Sequence, residues 1–298
     1  MTLPAKATRA MRNVLERADV ERRRAERAAE IAERHEQQLL TDPRSLREFH
    51  LKMATTHRQV QRQHLAAAAM HTAHANRLRT WIDTPQRHHA LPRFMAGVAD
   101  AADADGAALT LFGPGLIETL AAASDRSAKS AQDLEFTLGE GPARDTMTVR
   151  RAVYAAGTAI RRRWPNYGPA AERLGIRRIA AVPVELTGVP LGALTLFGQH
   201  RIIENGEPDR LRTVADTLAA MLLSEHGLNK ADDGDAGNAI LAEADHRSVV
   251  HQATGIVSVQ YGCAIPDALA LIRARAFAED RPVESIATDI VKHTLTME

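Results

Sequence analysis

The hydrophobic positions of the first 90 residues repeat with the spacing of long amphipathic helices. A run without helix breakers extends from Ala5 to Leu40. Asp42-Pro43 then interrupts it, because the residue before a proline is disfavoured in the helical conformation. A second run ends near Trp81. The pattern predicts two helices that fold back as an antiparallel hairpin, and one long helix kinked at the proline is the alternative.

The second run carries a heptad pattern, which is typical of a coiled coil. Histidines recur along its seam, and we interpret them as the half-buried flank of that seam. A pH-sensitive dimer interface and a metal site stay open as alternatives. If the stripe lies in an interface, the N-terminal association is expected to loosen between about pH 7 and 5, where histidine titrates. The histidine stripe consists of His50, His57, His64, His71 and His74.

The seam of the first run is narrow and rich in alanine. Alanine seams require close neighbours, because a methyl side chain covers little surface. We therefore expect a helical bundle, with a second copy of the chain as the neighbour.

The pattern changes from Leu91 to Gly227, where short apolar strands lie between helices. An amphipathic helix comes first, and a second one closes the segment at 208–226. Turn residues separate the strands. This order predicts an α+β sandwich with an antiparallel sheet. The predicted strands are 107–111, 117–122, 153–155, 179–186 and 191–197.

The C-terminal part begins with a polar segment rich in aspartate and glycine, 229–238, which is typical of a linker. Three short helical patterns follow it. They predict a small three-helix bundle that needs neighbours for stability. The helical patterns cover 238–260, 266–278 and 282–295.

Charge and composition narrow the classes of function. The net charge is +1, but residues 1–92 carry +7 while 93–239 and 240–298 each carry −3. A single cysteine, Cys263, excludes a disulfide framework within the chain. We find no apolar run of membrane-spanning length and no signal peptide, so a cytoplasmic protein is expected. We also find no catalytic constellation, which predicts a protein that is not an enzyme and has no cofactor.

The central segment resembles a GAF domain of the bacterial signalling type over about 130 residues. The resemblance implies a domain that binds a small molecule or dimerises and does no chemistry. Ala143 stands where many members have cysteine, which removes a thiol-based role at that position. The motifs are Leu138-Gly139-Glu140-Gly141-Pro142-Ala143, Arg163-Trp164-Pro165, Ala181-Val182-Pro183-Val184 and Leu191-Gly192-Ala193-Leu194.

The C-terminal segment resembles the ANTAR domain. The resemblance implies a dimeric module that binds paired RNA hairpins and prevents a transcription terminator from forming. Cys263 falls where the family often has a cysteine, which favours a packed thiol. The motifs are Ala253-Thr254-Gly255-Ile256-Val257, Tyr261-Gly262-Cys263, Asp267-Ala268, Leu271-Ile272-Arg273 with Ala276, and Ile286-Ala287 with Ile290-Val291.

One departure concerns the RNA contacts. The family pattern usually reads Ala-Lys-Gly, and Thr254 replaces the lysine, which removes a phosphate contact. Four residues spaced along one face of the first C-terminal helix remain as candidates, together with two arginines and a tyrosine that can stack on RNA. The candidate RNA-binding residues are Arg247, His251, Thr254, Ser258, Tyr261, Arg273 and Arg275.

The sequence thus predicts a helical hairpin or coiled coil at 1–90, a GAF-like sensor domain at 91–228, a linker at 229–238 and an ANTAR-like module at 239–298. The expected function is a signal-responsive, dimeric regulator that binds RNA hairpins in transcription antitermination. The sensor domain is expected to bind a small molecule or a partner. The alternative is a dimeric signalling scaffold whose ANTAR-like module has lost RNA binding, which Thr254 and the charge of −3 favour.

Overall fold

The computed structural model describes residues 3–84, 90–199, 208–224, 240–241, 244–245 and 247–295. The predicted linker, 229–238, lies outside these residues. The chain is mostly helical, with an antiparallel sheet in its middle part. It forms two compact units, one of Met1–Asp103 with Asn205–Ile240 and one of Ala104–Glu204 with Leu241–Glu298.

The first unit is built on a helical hairpin. Helix α1 covers Leu3–Thr41 and helix α2 covers Arg47–Asp83, with a short 3-10 turn at Arg44–Leu46 between them. The two helices pack against each other along their lengths, and Arg58 Nη2 lies 2.7 Å from Glu36 Oε2 across the pair. The hairpin, and not the single kinked helix, is therefore the structure of this segment.

Helix α1 buries only small side chains, as its alanine seam predicts, and the neighbour that covers the seam is α2 of the same chain. In the histidine stripe, His57 and His64 are half-buried and the other three are buried. Much of the seam is thus covered within one chain, and the homodimer stays a prediction. The buried α1 residues are Ala7, Ala18, Ala25, Ala28 and Ala32, and the buried histidines are His50, His71 and His74.

Two further helices, α3 (Phe94–Ala101) and α8 (Pro208–Ser224), pack on α2. Helix α3 approaches α2 closely, because a Cβ added to Gly97 would lie 2.8 Å from His74 Cβ. The compact units group α3 and α8 with the hairpin, whereas the sequence grouped both helices with the sheet. Their apolar faces indicate burial but do not specify the partner, so the pattern alone did not distinguish the two arrangements.

The second unit contains a five-stranded antiparallel sheet with the strand order β2-β1-β5-β4-β3. All five predicted strands are present. This sheet with its helices is compatible with the GAF resemblance but does not by itself establish it. The strands are β1 (Gly106–Gly113), β2 (Ile117–Ala123), β3 (Val153–Ala156), β4 (Arg178–Leu186) and β5 (Val189–Gly198).

Left-handed residues close both hairpins of the sheet. Gly115, at φ +70°, lies in the turn between β1 and β2. Thr187 and Gly188, at φ +47° and +81°, join β4 to β5, as a two-residue hairpin turn requires. The predicted turn chemistry is therefore present in the structure.

Helices cover one face of the sheet, and two of them were absent from the sequence-based prediction. Helix α4 (Arg126–Leu138) begins at Asp125, whose carboxylate accepts a hydrogen bond from Ala128 N at 3.0 Å. Helix α5 (Pro142–Val149) follows after Gly139, which ends α4 at φ +66°. Helices α6 (Thr158–Arg163) and α7 (Tyr167–Arg173) lie between β3 and β4 along the chain.

The C-terminal module contains the three predicted helices. They are α9 (Ser248–Tyr261), α10 (Ile265–Ala278) and α11 (Val283–Val291). Gly262 ends α9 in the left-handed conformation, φ +60°, as the sequence predicts. Since this module and the sheet belong to the same compact unit, their contacts define the environment of the candidate RNA-binding residues.

Candidate nucleic-acid interface

The C-terminal module has an apolar core that one side chain from α4 completes. Phe136 is 1% exposed and packs into the cluster that α9, α10 and α11 form. The module therefore obtains part of its core from the sheet domain, as its small size predicts. The buried cluster consists of Phe136, Val250, Ala253, Val257, Ala268, Leu269, Ile272, Ala276, Val283, Ile286, Ala287 and Ile290.

Thr254 belongs to this core and not to a polar face. It is 3% exposed, and its hydroxyl donates to Val250 O on the same helix at 2.7 Å. A threonine can satisfy its hydroxyl within its own helix in this way, so it is tolerated on a buried face. Ser258, half-buried, donates to Cys263 O at 2.6 Å across the end of α9. Both hydroxyls therefore act inside the module in this conformation.

Arg247 is fully buried and connects the module to the sheet domain. Its guanidinium lies 2.8 Å from Asp133 Oδ1 on α4 and also pairs with Glu284 on α11. Asp245 Oδ2 lies 3.7 Å away, and the guanidinium carbon lies 4.3 Å from the centroid of the Phe136 ring. A contact between Arg247 and RNA therefore requires the module to move away from α4.

Arg273 on α10 lies against the same aromatic ring. Its guanidinium carbon is 4.6 Å from the Phe136 centroid, a cation–π distance. Its Nε and Nη2 atoms are buried and have no hydrogen-bond partner among the described residues. Burial and, to a smaller extent, the positive charge of Arg144 together lower the pKa of Arg273 to about 10, although the negative charge of Glu118 opposes this. The Arg273 guanidinium therefore lies against the Phe136 ring while two of its nitrogen atoms make no hydrogen bond within the described part of the chain.

The remaining candidates lie nearer to solvent. Tyr261 is 46% exposed at the end of α9, and His251 is half-buried. Arg275 is half-exposed and pairs with Glu279 one turn later on the same helix. The structure therefore leaves Tyr261 and Arg275 as the predicted contacts that reach the surface of the docked module, together with part of the His251 ring. The Nε2 atom of that ring is buried and has no hydrogen-bond partner among the described residues.

A cluster of buried charges lies beneath the Phe136 contact in the sheet domain. Glu118 on β2 is 1% exposed and accepts from Arg144 Nη2 at 3.3 Å, and Glu135 Oε1 accepts from Arg144 N at 2.7 Å. Burial raises the pKa of Glu118, and the positive charges of Arg247 and Arg144 oppose this. Burial and, to a smaller extent, the nearby Glu118 together raise the pKa of Glu135 to about 8, although hydrogen bonds from the backbone of Arg144 and Ala143 oppose this.

The Gly-Glu-Gly-Pro segment has a structural role around this cluster. A Cβ added to Gly141 would lie 2.5 Å from Glu135 Cδ, so the glycine makes room for that carboxyl group. Glu140 accepts hydrogen bonds from Asn166 N at 2.9 Å and from Tyr167 N at 3.0 Å, at the start of α7. The segment therefore connects α4, α5 and α7 beneath the sheet.

A cavity of about 400 Å³ lies at one end of the sheet, beside the start of α4. Two carboxylates line it, and protein groups already occupy both: Asp105 accepts from Gln199 N at 2.7 Å, and Asp125 from Ser124 Oγ at 2.5 Å. Its acidic lining disfavours an anionic ligand. Within the described ranges, no group of three His, Cys, Asp or Glu side chains is placed to hold a metal ion.

No single described helix is long and apolar enough to cross a membrane. The bent pair Ser248–Tyr261 and Ile265–Ala278 meets the length and hydropathy requirements only when the two helices are taken together.

The sheet-domain partners of Arg247 and Arg273 were not predicted from the sequence. Asp133 and Phe136 lie on α4, which was missed, although the Asp125 cap and the apolar spacing after it could have indicated this helix. The buried apolar residues of α4 are Ala128, Ala131 and Phe136, and Leu134 and Leu138 are partly buried.

The ANTAR domain family matches residues 239–291 of the chain. No curated protein matches the chain. The match covers α9, α10 and α11. Residues 239–291 therefore form an ANTAR domain, a module associated with RNA-binding antitermination regulators.

Proposed function

We propose that this protein is an RNA-binding regulator that acts in transcription antitermination. The observation that carries the proposal is the ANTAR domain at 239–291, because the resemblance implies recognition of paired RNA hairpins. In this proposal the sheet domain is a GAF-like sensor of a small molecule or a partner, and the protein acts as a homodimer. The cavity of about 400 Å³ beside α4 is large enough for a small ligand and supports a sensory role.

The proposed RNA surface centres on the half-exposed and exposed side of α9 and α10. Tyr261 can stack on an unpaired base, and Arg275 and His251 can contact phosphate or ribose. Arg247 and Arg273 add two cations to this surface when they are not engaged by α4. Since phosphate neutralisation supplies much of RNA affinity, the two buried arginines matter for the strength of binding.

The proposal is tested by sequencing the RNA that is cross-linked to the full-length protein in its host. We expect enrichment of sequences that form neighbouring hairpins close to terminators. The variant Arg273→Gln/Arg275→Gln should lose this enrichment. The matched control is Arg151→Gln/Arg162→Gln, which removes two charges from exposed arginines of the sheet domain and should keep the enrichment.

A second candidate function is a dimeric signalling scaffold whose module does not bind RNA. The burial of Arg247 against α4 favours this function, as does the charge of −3 on residues 240–298. The wild type and both variants are compared in the same experiment. If none of the three enriches hairpins in the cross-linked RNA, the antitermination proposal is refuted and the scaffold function is favoured.

A further inference from the structure

The backbones of the ANTAR domain and the sheet domain meet in an isolated β-bridge. Strand β2 is at the edge of the sheet, and its Ala121 exchanges two backbone hydrogen bonds with Asp245, just before α9. Ala121 N donates to Asp245 O at 2.9 Å, and Asp245 N donates to Ala121 O at 2.7 Å. An edge strand accepts another chain segment readily, and a single bridge can open without disturbing the sheet.

Two side chains of α4 complete the attachment. Phe136 enters the core of the module and contacts the guanidinium groups of Arg247 and Arg273 with its ring. Asp133 provides a carboxylate 2.8 Å from Arg247 Nη2. Together with the bridge to Asp245, these contacts join the module to the sheet domain through charge, aromatic stacking and backbone hydrogen bonds.

The attachment removes positive charge from the surface of the module. Residues 240–298 contain five basic side chains. Arg247 is fully buried and Arg273 is half-buried, with its Nε and Nη2 atoms buried, while Arg275 and Arg281 pair with carboxylates of the module itself. Lys292 is exposed. A docked module therefore presents little of the positive charge that binding to phosphates requires.

The attachment also leaves polar atoms without partners. Arg247 Nε, Arg273 Nε and Arg273 Nη2 are buried and make no hydrogen bond to any described residue. Glu118 Oε2 is also buried and accepts no hydrogen bond from any described residue. An unsatisfied buried donor disfavours the state that contains it, and a phosphate oxygen would satisfy it after undocking. RNA and the sheet domain thus compete for the same two arginines.

We propose that the sheet domain inhibits RNA binding in cis by holding Arg247 and Arg273 against α4 and β2, and that undocking of the ANTAR domain is the step that a signal controls. This inference rests on the proposed RNA-binding function. It assigns the surface formed by Ala121, Asp133 and Phe136 to an intramolecular partner that RNA displaces. Arg247 has no exposed surface while it lies against Phe136, so the docked conformation and a conformation in which Arg247 contacts RNA exclude each other.

A reversible disulfide across the β-bridge tests the inference in the full chain. Residues that exchange both backbone hydrogen bonds have Cα atoms about 5.5 Å apart, which a disulfide can span. The test variant carries Ala121→Cys and Asp245→Cys, and Cys263→Ser removes the only natural thiol of the sequence. The probe is a pool of RNA stem–loops with randomised loops, measured by filter binding with and without reductant.

The reduced chain should bind the pool at least about tenfold more tightly than the oxidised chain. This difference is expected if the undocked conformation, which is competent to bind RNA, makes up a tenth of the molecules or less when the disulfide is formed. Equal binding by both forms, or tighter binding by the oxidised form, would overturn the inference and leave RNA binding intact. Absence of binding in both forms and in the Asp133→Asn variant would instead overturn the proposed function. The same protein serves as its own control, because only the disulfide differs.

A second variant tests the inference without a cross-link. Asp133→Asn removes the sheet-domain carboxylate that pairs with Arg247, together with its pair to Lys129 on the same helix, and changes no residue of the ANTAR domain. Its matched control is Asp145→Asn, which removes an ion pair with Arg163, 2.6 Å, within the sheet domain. Both variants raise the net charge by one. Asp133→Asn should bind the pool more tightly than the control, with faster hydrogen exchange at the amide of Asp245, and equal binding would contradict the inference.

Discussion

Lowering the pH from 7 to 5 should destabilise the helical unit through His74. This side chain is 6% exposed on α2, opposite α3, and burial lowers its pKa from 6.5 to about 4. The nearby His71 and Arg77 contribute to this lower pKa, while a hydrogen bond with the backbone of Arg93 opposes it. The Phe94 ring, 5.5 Å away, adds apolar surface, and Asp100 of α3 pairs with Arg77.

The magnitude follows from the difference between the folded and unfolded pKa values. Because the folded pKa is the lower one, the stabilisation from neutral His74 is complete above about pH 6.5 and is lost as the pH falls toward 4. At pH 5 the unfolded chain has taken up nearly a whole proton at this site, and the folded chain about a tenth of one. The free energy of unfolding therefore falls by about 2 kcal/mol between pH 7 and pH 5.

The assay is urea unfolding of the full chain at both pH values, followed by helix content. His74→Leu should remove about 2 kcal/mol of the pH dependence, because leucine has no proton to gain. The matched control is His57→Leu on the same helix, where the side chain is only half-buried, and it should keep the dependence. Carboxylates that titrate in this range are common to all three chains. A His74→Leu chain with the pH dependence of the wild type would refute the argument.

Three further predictions concern buried positions. For Glu135, the folded pKa of about 8 lies above the unfolded value. The stability that its neutral form provides is therefore present below pH 4.5 and is lost as the pH rises toward 8. Glu135→Gln should consequently unfold at a higher urea concentration than the wild type at pH 8. Gly97→Ala should lower the free energy of unfolding of the helical unit by roughly 1–3 kcal/mol, because its Cβ would lie 2.8 Å from His74 Cβ, and an unchanged melting temperature would contradict the close approach. Thr254→Lys should destabilise the ANTAR domain by several kcal/mol, because it buries an ammonium group, whereas Thr254→Val should fold normally; thermal unfolding distinguishes the two variants.

Periodic patterns predicted the elements whose neighbours lie close in sequence. The two long helices, the five strands and the three C-terminal helices follow from heptads, short apolar runs and turn residues. Helix α4 was missed because it carries polar residues between its apolar ones and ends in a glycine-rich turn that was interpreted alone. The grouping of α3 and α8 also escaped prediction, because an amphipathic helix indicates that a face is buried but not which partner buries it.

The candidate site was predicted by residue type and not by environment. Arg247 and Thr254 were assigned to a polar face because both side chains are polar and their spacing is helical. In the structure Thr254 is satisfied by the carbonyl of its own helix and packs in the core. Arg247 is not on α9 proper but caps it in the left-handed conformation, at φ +49°, which turns its side chain away from the expected face.

The partner of a charged side chain is determined by contacts between distant segments, which no local pattern contains. Asp133 and Arg247 are 114 residues apart in the chain, yet their side chains lie 2.8 Å apart. At the level of sequence, a basic residue such as Arg247 in an ANTAR domain is consistent with RNA binding. In the folded chain, the same residue forms an internal ion pair. Because Arg247 is 0% exposed while it pairs with Asp133, a contact between Arg247 and RNA would require a second conformation. Measuring RNA affinity in the locked and released states therefore tests the prediction from sequence and the observation from structure with one protein.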